Sequence, residues 1–164
     1  MKKKIAGISL ALIIAVNVLI PMAILAAGSF TSGDAAFKVG STTYKLGTTS
    51  TSWKTGLGKY KRTEQDACYL GEKAYLYNFS AKGVKVETLV KDKTGKETVI
   101  GVIITGTSIG TAGGLKVGLT VEKMESIYGT GYKKSGTTYT YSAGGKKMVV
   151  STSKDKITKI TLLQ

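Results

Sequence analysis

The chain has 164 residues, which is enough for one ordinary domain or for two small halves that share a core. It carries 24 lysines and arginines against 10 acidic residues, so its formal net charge is +14, and it contains no histidine. Without histidine, a Ser-His-Asp or Cys-His catalytic arrangement is excluded, and the usual nitrogen ligands of zinc are missing. We therefore predict a protein that is not an enzyme and that has no catalytic residue, metal site or cofactor.

The first 28 residues have the order of a secretory signal, which is basic, then apolar, then small. Lysines at positions 2–4 precede an apolar run over residues 5–20, and Pro21 is followed by small residues at positions 26–28. Cleavage after Ala27 or Gly28 fits this order, and Pro21 favours it because proline interrupts the helix there. The alternative is an uncleaved membrane anchor over residues 5–27, since roughly 20 apolar residues span a bilayer. Both alternatives predict a secreted or extracytoplasmic protein, in the second case anchored through its N-terminus.

The mature protein stays basic after export. Loss of the three lysines at positions 2–4 leaves 21 basic and 10 acidic side chains, a net charge of +11. Export separates the chain from nucleic acid, so the expected partners are an anionic cell-wall polymer, anionic lipid headgroups or another envelope or extracellular protein. The alternative is that scattered lysines keep a β-rich domain soluble and protect its strand edges. The single cysteine, Cys68, cannot form an internal disulfide and is predicted to be a small buried residue.

Two copies of one sequence pattern organise the rest of the chain. After a polar linker over residues 29–36, AFKV and TTYKL flank Gly40 and Ser41, which predicts a short β-hairpin. The stretch KLGTTSTSWKTGLG at residues 45–58 then matches KVGLTVEKMESIYG at residues 116–129. Each copy predicts a helix of about two turns, with matched N-caps Thr49 and Thr120, apolar anchors Trp53 and Met124, and terminating glycines Gly58 and Gly129.

The repeat continues into strand patterns. Matches at an offset of 64 residues join Tyr75, Tyr77, Val84, Val86 and Thr88 to Tyr139, Tyr141, Met148, Val150 and Thr152. The run VIGVII from Val99 matches ITKITL from Ile157 at an offset of 58. The predicted fold class is α+β, with two tandem helix-plus-three-strand repeats that share an antiparallel sheet and place their short helices on one face. The first repeat with its hairpin covers residues 37–105, a Gly-rich connection covers 106–114, and the second repeat covers 115–164.

This tandem pattern resembles the β-lactamase-inhibitory-protein-like fold. The shared features are the K-[L or V]-G-x-T-x8-G motif, the short helix, the Tyr-x-Tyr strand and two further strands, over about residues 37 to 164. Small exported lipoproteins of the outer-membrane-assembly type share that fold. The resemblance implies a non-enzymatic binding protein that grips another protein through an exposed sheet face or loops. The chain lacks both the intra-domain cysteine pair of the inhibitors and the lipid-attachment cysteine of the lipoproteins, so neither specific activity carries over.

Several short motifs resemble catalytic or metal sites by chance. Residues 151–154 read S-x-x-K, and residues 54–56 and 93–95 read K-T-G, as in penicillin-binding enzymes. The serine falls at a strand end, however, and no S-D-N motif is present. The acidic residues Glu64, Asp66 and Glu72 lack the regular spacing of a calcium loop.

Strand parity divides the predicted sheet into two faces. The apolar face, predicted to lie under the helices, carries Tyr75, Tyr77, Phe79, Val84, Val86, Val102, Ile104, Tyr139, Tyr141, Met148, Val150, Ile160 and Leu162. The opposite face is mixed and basic, and its predicted partner-binding residues are Asn78, Lys85, Glu87, Thr140, Lys147, Ser151, Lys159 and Thr161. Two alternatives remain, namely a merely solvated face and an inverted assignment in which the tyrosines point outward as anchors for a partner.

These observations favour an exported, non-enzymatic binding module of the cell envelope or extracellular space. Its predicted partner is a protein or an anionic envelope component that contacts the exposed sheet face. The alternative functions are an N-terminally membrane-anchored structural envelope protein and a small envelope enzyme.

Overall fold

A computed structural model of the chain describes residues 28–66, 72–91 and 95–164. The predicted signal over residues 1–27, Cys68 and the turn at residues 92–94 lie outside the described residues. The described strands are β1 (Ala36–Val39), β2 (Thr42–Lys45), β3 (Lys61–Gln65), β4 (Lys73–Phe79), β5 (Val84–Val90), β6 (Glu97–Ile104), β7 (Gly110–Thr111), β8 (Lys133–Ser135), β9 (Thr138–Ala143), β10 (Lys146–Ser153) and β11 (Lys156–Leu163). The α-helices among these residues are α1 (Trp53–Leu57) and α2 (Val121–Tyr128), and none of the helices described is long and apolar enough to cross a membrane.

The predicted α+β class is wrong, because the protein is mainly β. About half of the described residues lie in strands, which form two antiparallel sheets, and each half of the chain contributes four strands to the larger sheet rather than three. The additional strands are β3 and β8, whose side chains are all exposed. A fully exposed strand has no apolar alternation, so hydrophobic periodicity does not detect it. The sequence KRTEQ of β3 therefore does not predict a strand.

The larger sheet has the order β3-β4-β5-β6-β11-β10-β9-β8. A pseudo-two-fold axis relates its four strands from the first half of the chain to its four strands from the second half. At its centre, Ile104 pairs with Ile160 and Val102 pairs with Leu162. Since β11 repeats β6 at an offset of 58 residues, Leu162 is the equivalent of Ile104 and Ile160 is the equivalent of Val102, so these two pairs are equivalent to each other. The axis consequently passes between Ile103 and Thr161, which also pair.

Backbone hydrogen bonds explain why the K-x-G-x-T motif occurs twice. Gly47 N–H donates to the Val99 carbonyl at 2.7 Å, and Gly118 N–H donates to the Ile157 carbonyl at 2.8 Å. Both glycines have φ near +90°, a region that disfavours residues with a Cβ. Each motif thereby bonds the segment before its helix to the last strand of its own half, which is β6 or β11. The pairing of that strand with its neighbour in the sheet has a β-bulge at this level in both halves.

The predicted match of Tyr75 and Tyr77 on β4 to Tyr139 and Tyr141 on β9 is wrong by two residues. Arg62 pairs with Tyr77 and Lys134 pairs with Tyr139, so Tyr77 and Phe79 are the equivalents of Tyr139 and Tyr141. The hairpin between β9 and β10 is two residues longer than its counterpart, which shifts the offset from 64 to 62 in this strand alone. The offsets predicted for β10 and β11 agree with the pairing.

The helix caps differ between the halves. The Thr120 hydroxyl accepts a hydrogen bond from Lys123 N–H, and Gly58 and Gly129 end their helices with positive φ, which confirms these predictions. Thr49 is not an N-cap, because α1 begins only at Trp53. Hydroxyl groups before α1 bond locally instead, for example Ser50 Oγ to Ser52 Oγ at 3.0 Å, and such bonds compete with helix formation.

The smaller sheet has the order β2-β1-β7. The hairpin predicted around Gly40 and Ser41 joins β1 to β2, with Val39 opposite Thr42. Strand β7 comes from the Gly-rich connection and pairs with β1. Its Thr111 is fully buried and hydrogen-bonded to the Tyr128 hydroxyl at 2.6 Å, so the connection is packed against the core.

The apolar face of the larger sheet is the core, as parity predicted. Its predicted residues are buried, except that Tyr75 is half-buried at one end. Trp53 of α1 packs edge-to-face on Tyr77 and Phe79, and Tyr128 of α2 packs on Tyr141. Both helices therefore cover this inner face, and the inverted assignment of the faces is wrong.

One buried hydroxyl gives a stability prediction. Thr88 is 1% exposed, and within the described residues its hydroxyl has no hydrogen-bond partner, whereas the equivalent Thr152 donates to the Thr137 carbonyl at 3.0 Å. Thr88→Val should raise the free energy of unfolding by about 1 to 2 kcal/mol, because burying an unpaired hydroxyl is costly. Thr152→Val should lower it by about 0.5 to 1.5 kcal/mol. Urea denaturation measures both changes, and a loss of stability in Thr88→Val would show that its hydroxyl is paired.

Candidate functional site

The face of the larger sheet opposite the helices is called the outer face here. Cross-strand pairing places one row of side chains across all eight strands of this face, in the order Lys61, Asn78, Lys85, Ile103, Thr161, Val149, Thr140 and Lys133. Neighbouring rows add Glu87 and Lys147 on one side and Ser151 and Lys159 on the other. All eight predicted partner-binding residues therefore lie on the outer face.

Lysines dominate the charge of the outer face. The exposed side chains of Lys61, Lys85, Lys133, Lys147 and Lys159 come from five different strands. Among the strand residues described on this face, Glu87 is the single carboxylate, and its side chain lies over Gly101 of the neighbouring strand. None of these five lysines forms an ion pair with a described residue. The result is a continuous, positively charged surface made by both halves.

Sequence reasoning missed the two ends of this row, Lys61 and Lys133. They lie on the edge strands β3 and β8, which lack apolar alternation. A signal was nevertheless present, because Tyr60-Lys61-Arg62 and Tyr132-Lys133-Lys134 are a further match between the halves. In the structure the two tyrosines are equivalent, since Tyr60 packs on Tyr77 and Phe79 as Tyr132 packs on Tyr139 and Tyr141.

A second feature, called the groove here, lies at the inner-face end of the first half. It is an open cavity of about 640 Å³. Helix α1, the segment before it, β3, β4 and the β5–β6 hairpin contribute the lining residues Thr49, Thr51, Lys54, Arg62, Tyr75, Val90, Gly95, Lys96 and Glu97. Sequence reasoning did not assign any of these residues to a site.

A partly buried ion pair forms one wall of the groove. Lys54 Nζ pairs with the Glu97 carboxylate and donates to the Tyr77 hydroxyl at 3.0 Å, and the Tyr77 hydroxyl donates to Glu97. The side chains of Lys54 and Glu97 are 20% and 15% exposed. Burial opposes the charge of Lys54, but the hydrogen bonds to Glu97 and Tyr77 outweigh it and raise the Lys54 pKa. Lys54 therefore stays charged over the physiological range.

Arg62 and Tyr75 also line the groove, and Arg62 is the cross-strand neighbour of Tyr77. The Arg62 guanidinium lies 4.8 Å from the centre of the Tyr75 ring, a cation–π contact. The second half has a related contact, because Lys134 Nζ lies 4.9 Å from the Tyr139 ring. There, however, Glu125 occupies the position equivalent to Lys54 and accepts a hydrogen bond from the Tyr132 hydroxyl at 2.6 Å. That bond raises the pKa of Tyr132 to about 12.

The described residues contain no group of three or more His, Cys, Asp or Glu side chains that could hold a metal ion. Of the predicted acidic cluster, Glu64 forms an exposed ion pair with Lys73 at 3.7 Å. Comparisons with protein-family models, curated proteins and solved structures found no match for the chain. The resemblance to the β-lactamase-inhibitory-protein-like fold stays a prediction.

Proposed function

We propose that the chain is an exported, non-enzymatic binding module of the cell envelope or extracellular space that binds an anionic cell-wall polymer through its outer face. The observation that carries this proposal is the placement of lysines from five strands, and from both halves, on one face of the larger sheet. Neither half possesses this surface alone, because the rows are completed only when β6 pairs with β11.

The dimensions of the outer face favour an extended polymer. Adjacent strands lie about 4.8 Å apart, so the row from Lys61 to Lys133 crosses roughly 34 Å. Lysines distributed over that length match a chain with repeated negative charges better than a compact ligand. The absence of ion pairs between these lysines and the described residues leaves their charges available to such a partner.

The composition of the outer face favours a polymer over a folded protein partner. Protein interfaces are enriched in aromatic residues, methionine and arginine and depleted in lysine. The strand residues described on the outer face include none of the enriched types and are rich in lysine, threonine and serine. A hydrophilic, anionic polymer is the partner that this chemistry fits.

The proposal predicts salt-sensitive binding to an anionic polymer. We expect the full exported chain to bind poly-L-glutamate, and to bind polyphosphate as the phosphodiester-like alternative, with an affinity that falls steeply as salt rises. Exposed charges are screened over a Debye length of about 8 Å at physiological salt. Fluorescence anisotropy of end-labelled polymers measures this dependence.

Dextran of matched length is the neutral control. Binding to dextran as tight as to the anionic polymers, or binding that salt does not change, would contradict the proposal. Tight binding to a folded acidic protein with no binding to either polymer would replace the polymer by a protein partner.

A further inference from the structure

We propose that the groove is a second binding site, which takes a small organic anion consisting of a carboxylate or phosphate group attached to a flat apolar part. This inference is independent of the proposed function, because the groove lies at the end of the inner face and shares none of the outer-face lysines. It rests on the shape of the cavity, its charges and the difference between the two halves.

The groove exists where the first half departs from the second. Strand β5 continues to Val90 and β6 begins at Glu97, whereas the equivalent β10 and β11 turn after Ser153 through Lys154 and Asp155. At the end of this extension, Val90 of β5 pairs with Lys73 of β4 on one side and with Glu97 of β6 on the other. Val90 and Glu97 line the groove, so this extension builds its wall. The duplicated fold does not need it, since the second half forms its strands without it.

The ion pair between Lys54 and Glu97 also points to a function, because the second half forms the same fold without such a pair. Removing Lys54 and Glu97 from water costs free energy, and apolar residues at such positions often give equal or greater stability. The second half has Glu125 and Asp155 at the equivalent positions, and they do not form such a pair. We infer that the pair holds Lys54 and the Tyr77 hydroxyl in place at the groove.

Among the described residues that line the groove, the charges that lack an ion pair are positive. Glu97 is neutralised by Lys54, and neither Arg62 nor Lys96 forms an ion pair with a described residue. The Arg62 guanidinium lies against the Tyr75 ring and also interacts with the Tyr77 hydroxyl. Its remaining N–H groups match a carboxylate or a phosphate in a two-pronged hydrogen bond.

The remaining lining defines the rest of the ligand. The Tyr75 ring and the Val90 side chain provide apolar surface, and Thr49 and Thr51 provide hydroxyl groups. The volume of about 640 Å³ lies within the range of roughly 300 to 1,000 Å³ typical of small-molecule sites. A ligand whose flat apolar part packs on Tyr75 and whose anionic group contacts Arg62 and Lys96 would use the apolar and the charged lining together.

Four probes test this assignment on the full exported chain. Phenyl phosphate and benzoate each combine a flat apolar ring with an anionic group, a phosphate in the first and a carboxylate in the second. Inorganic phosphate has the charge without the ring, and benzamide is the neutral counterpart of benzoate. Calorimetry should show phenyl phosphate or benzoate binding at least tenfold more tightly than benzamide, and the better of the two identifies the anionic group. Inorganic phosphate should bind more weakly than phenyl phosphate, because it makes no contact with the apolar wall.

Arg62→Gln should weaken the better probe by about tenfold or more, which is the typical loss of a hydrogen bond to a charged group. The matched control is Lys134→Gln, which removes the equivalent cation over a tyrosine in the second half and should leave the affinity unchanged. In the unsubstituted chain, the probe should shift the amide resonances of Tyr75, Val90 and Lys96, which does not depend on any variant folding. Equal affinity for benzamide, an equal effect of Lys134→Gln, or resonance shifts confined to the outer face would each overturn the proposal.

Discussion

Replacing Trp53 by alanine should lower the free energy of unfolding by about 3 to 5 kcal/mol, the cost typical of removing a large buried aromatic side chain. Trp53 is 1% exposed, and its ring centre lies 5.3 Å from that of Tyr77 and 6.0 Å from that of Phe79. Helix α1 has only five residues, including a glycine, so its own propensity contributes little and packing must hold it. Urea denaturation followed by circular dichroism measures the loss.

Two comparison variants make this result specific to the packing of the helices. Met124→Ala removes the equivalent anchor of α2 and should cost somewhat less, because methionine is smaller. Thr55→Ala changes an exposed position of α1 and should stay within about 0.5 kcal/mol of the unsubstituted protein. If Trp53→Ala and Met124→Ala both changed the free energy of unfolding by no more than about 0.5 kcal/mol, the packing of the helices on the inner face would be contradicted.

Replacing Lys85, Lys147 and Lys159 together by glutamate should weaken binding to the anionic polymer by well over tenfold and reduce its dependence on salt. The three lysines are exposed on one face and come from three strands, β5, β10 and β11. Reversing their charges turns attraction into repulsion over the centre of the outer face. Folding should survive, since exposed substitutions usually change stability by about 0.5 kcal/mol or less each. Anisotropy titrations over a range of salt concentrations, with circular dichroism to verify folding, measure both effects.

The matched control places the same charge change elsewhere. Lys38 and Lys45 lie on the smaller sheet and Lys123 lies on α2, and all three are exposed. Their replacement by glutamate should reduce the affinity only modestly, through net charge. An equal loss in both triple variants would show that net charge explains the attraction, and the outer face would no longer be the binding site.

The pattern of the sequence determined the two faces of the larger sheet and the duplication of the chain. Parity distinguishes Tyr77 and Val86, which are buried, from Lys85 and Asn78, because side chains alternate across any strand regardless of the fold class. The K-x-G-x-T match also reflects a requirement of the backbone, namely positive φ at Gly47 and Gly118. Such features depend on local geometry, which a sequence states directly.

The tertiary structure alone decided which strands complete the sheet and where the groove lies. The exposed strands β3 and β8 form because β4 and β9 offer free edges for pairing, and an edge pairs through its backbone whatever its side chains are. Lys54, Arg62 and Glu97 likewise lie on three different elements, and Glu97 is far along the chain from the other two. They meet only because α1 packs on the inner face beside an extended β5–β6 hairpin, and that contact depends on three-dimensional packing rather than on any local pattern.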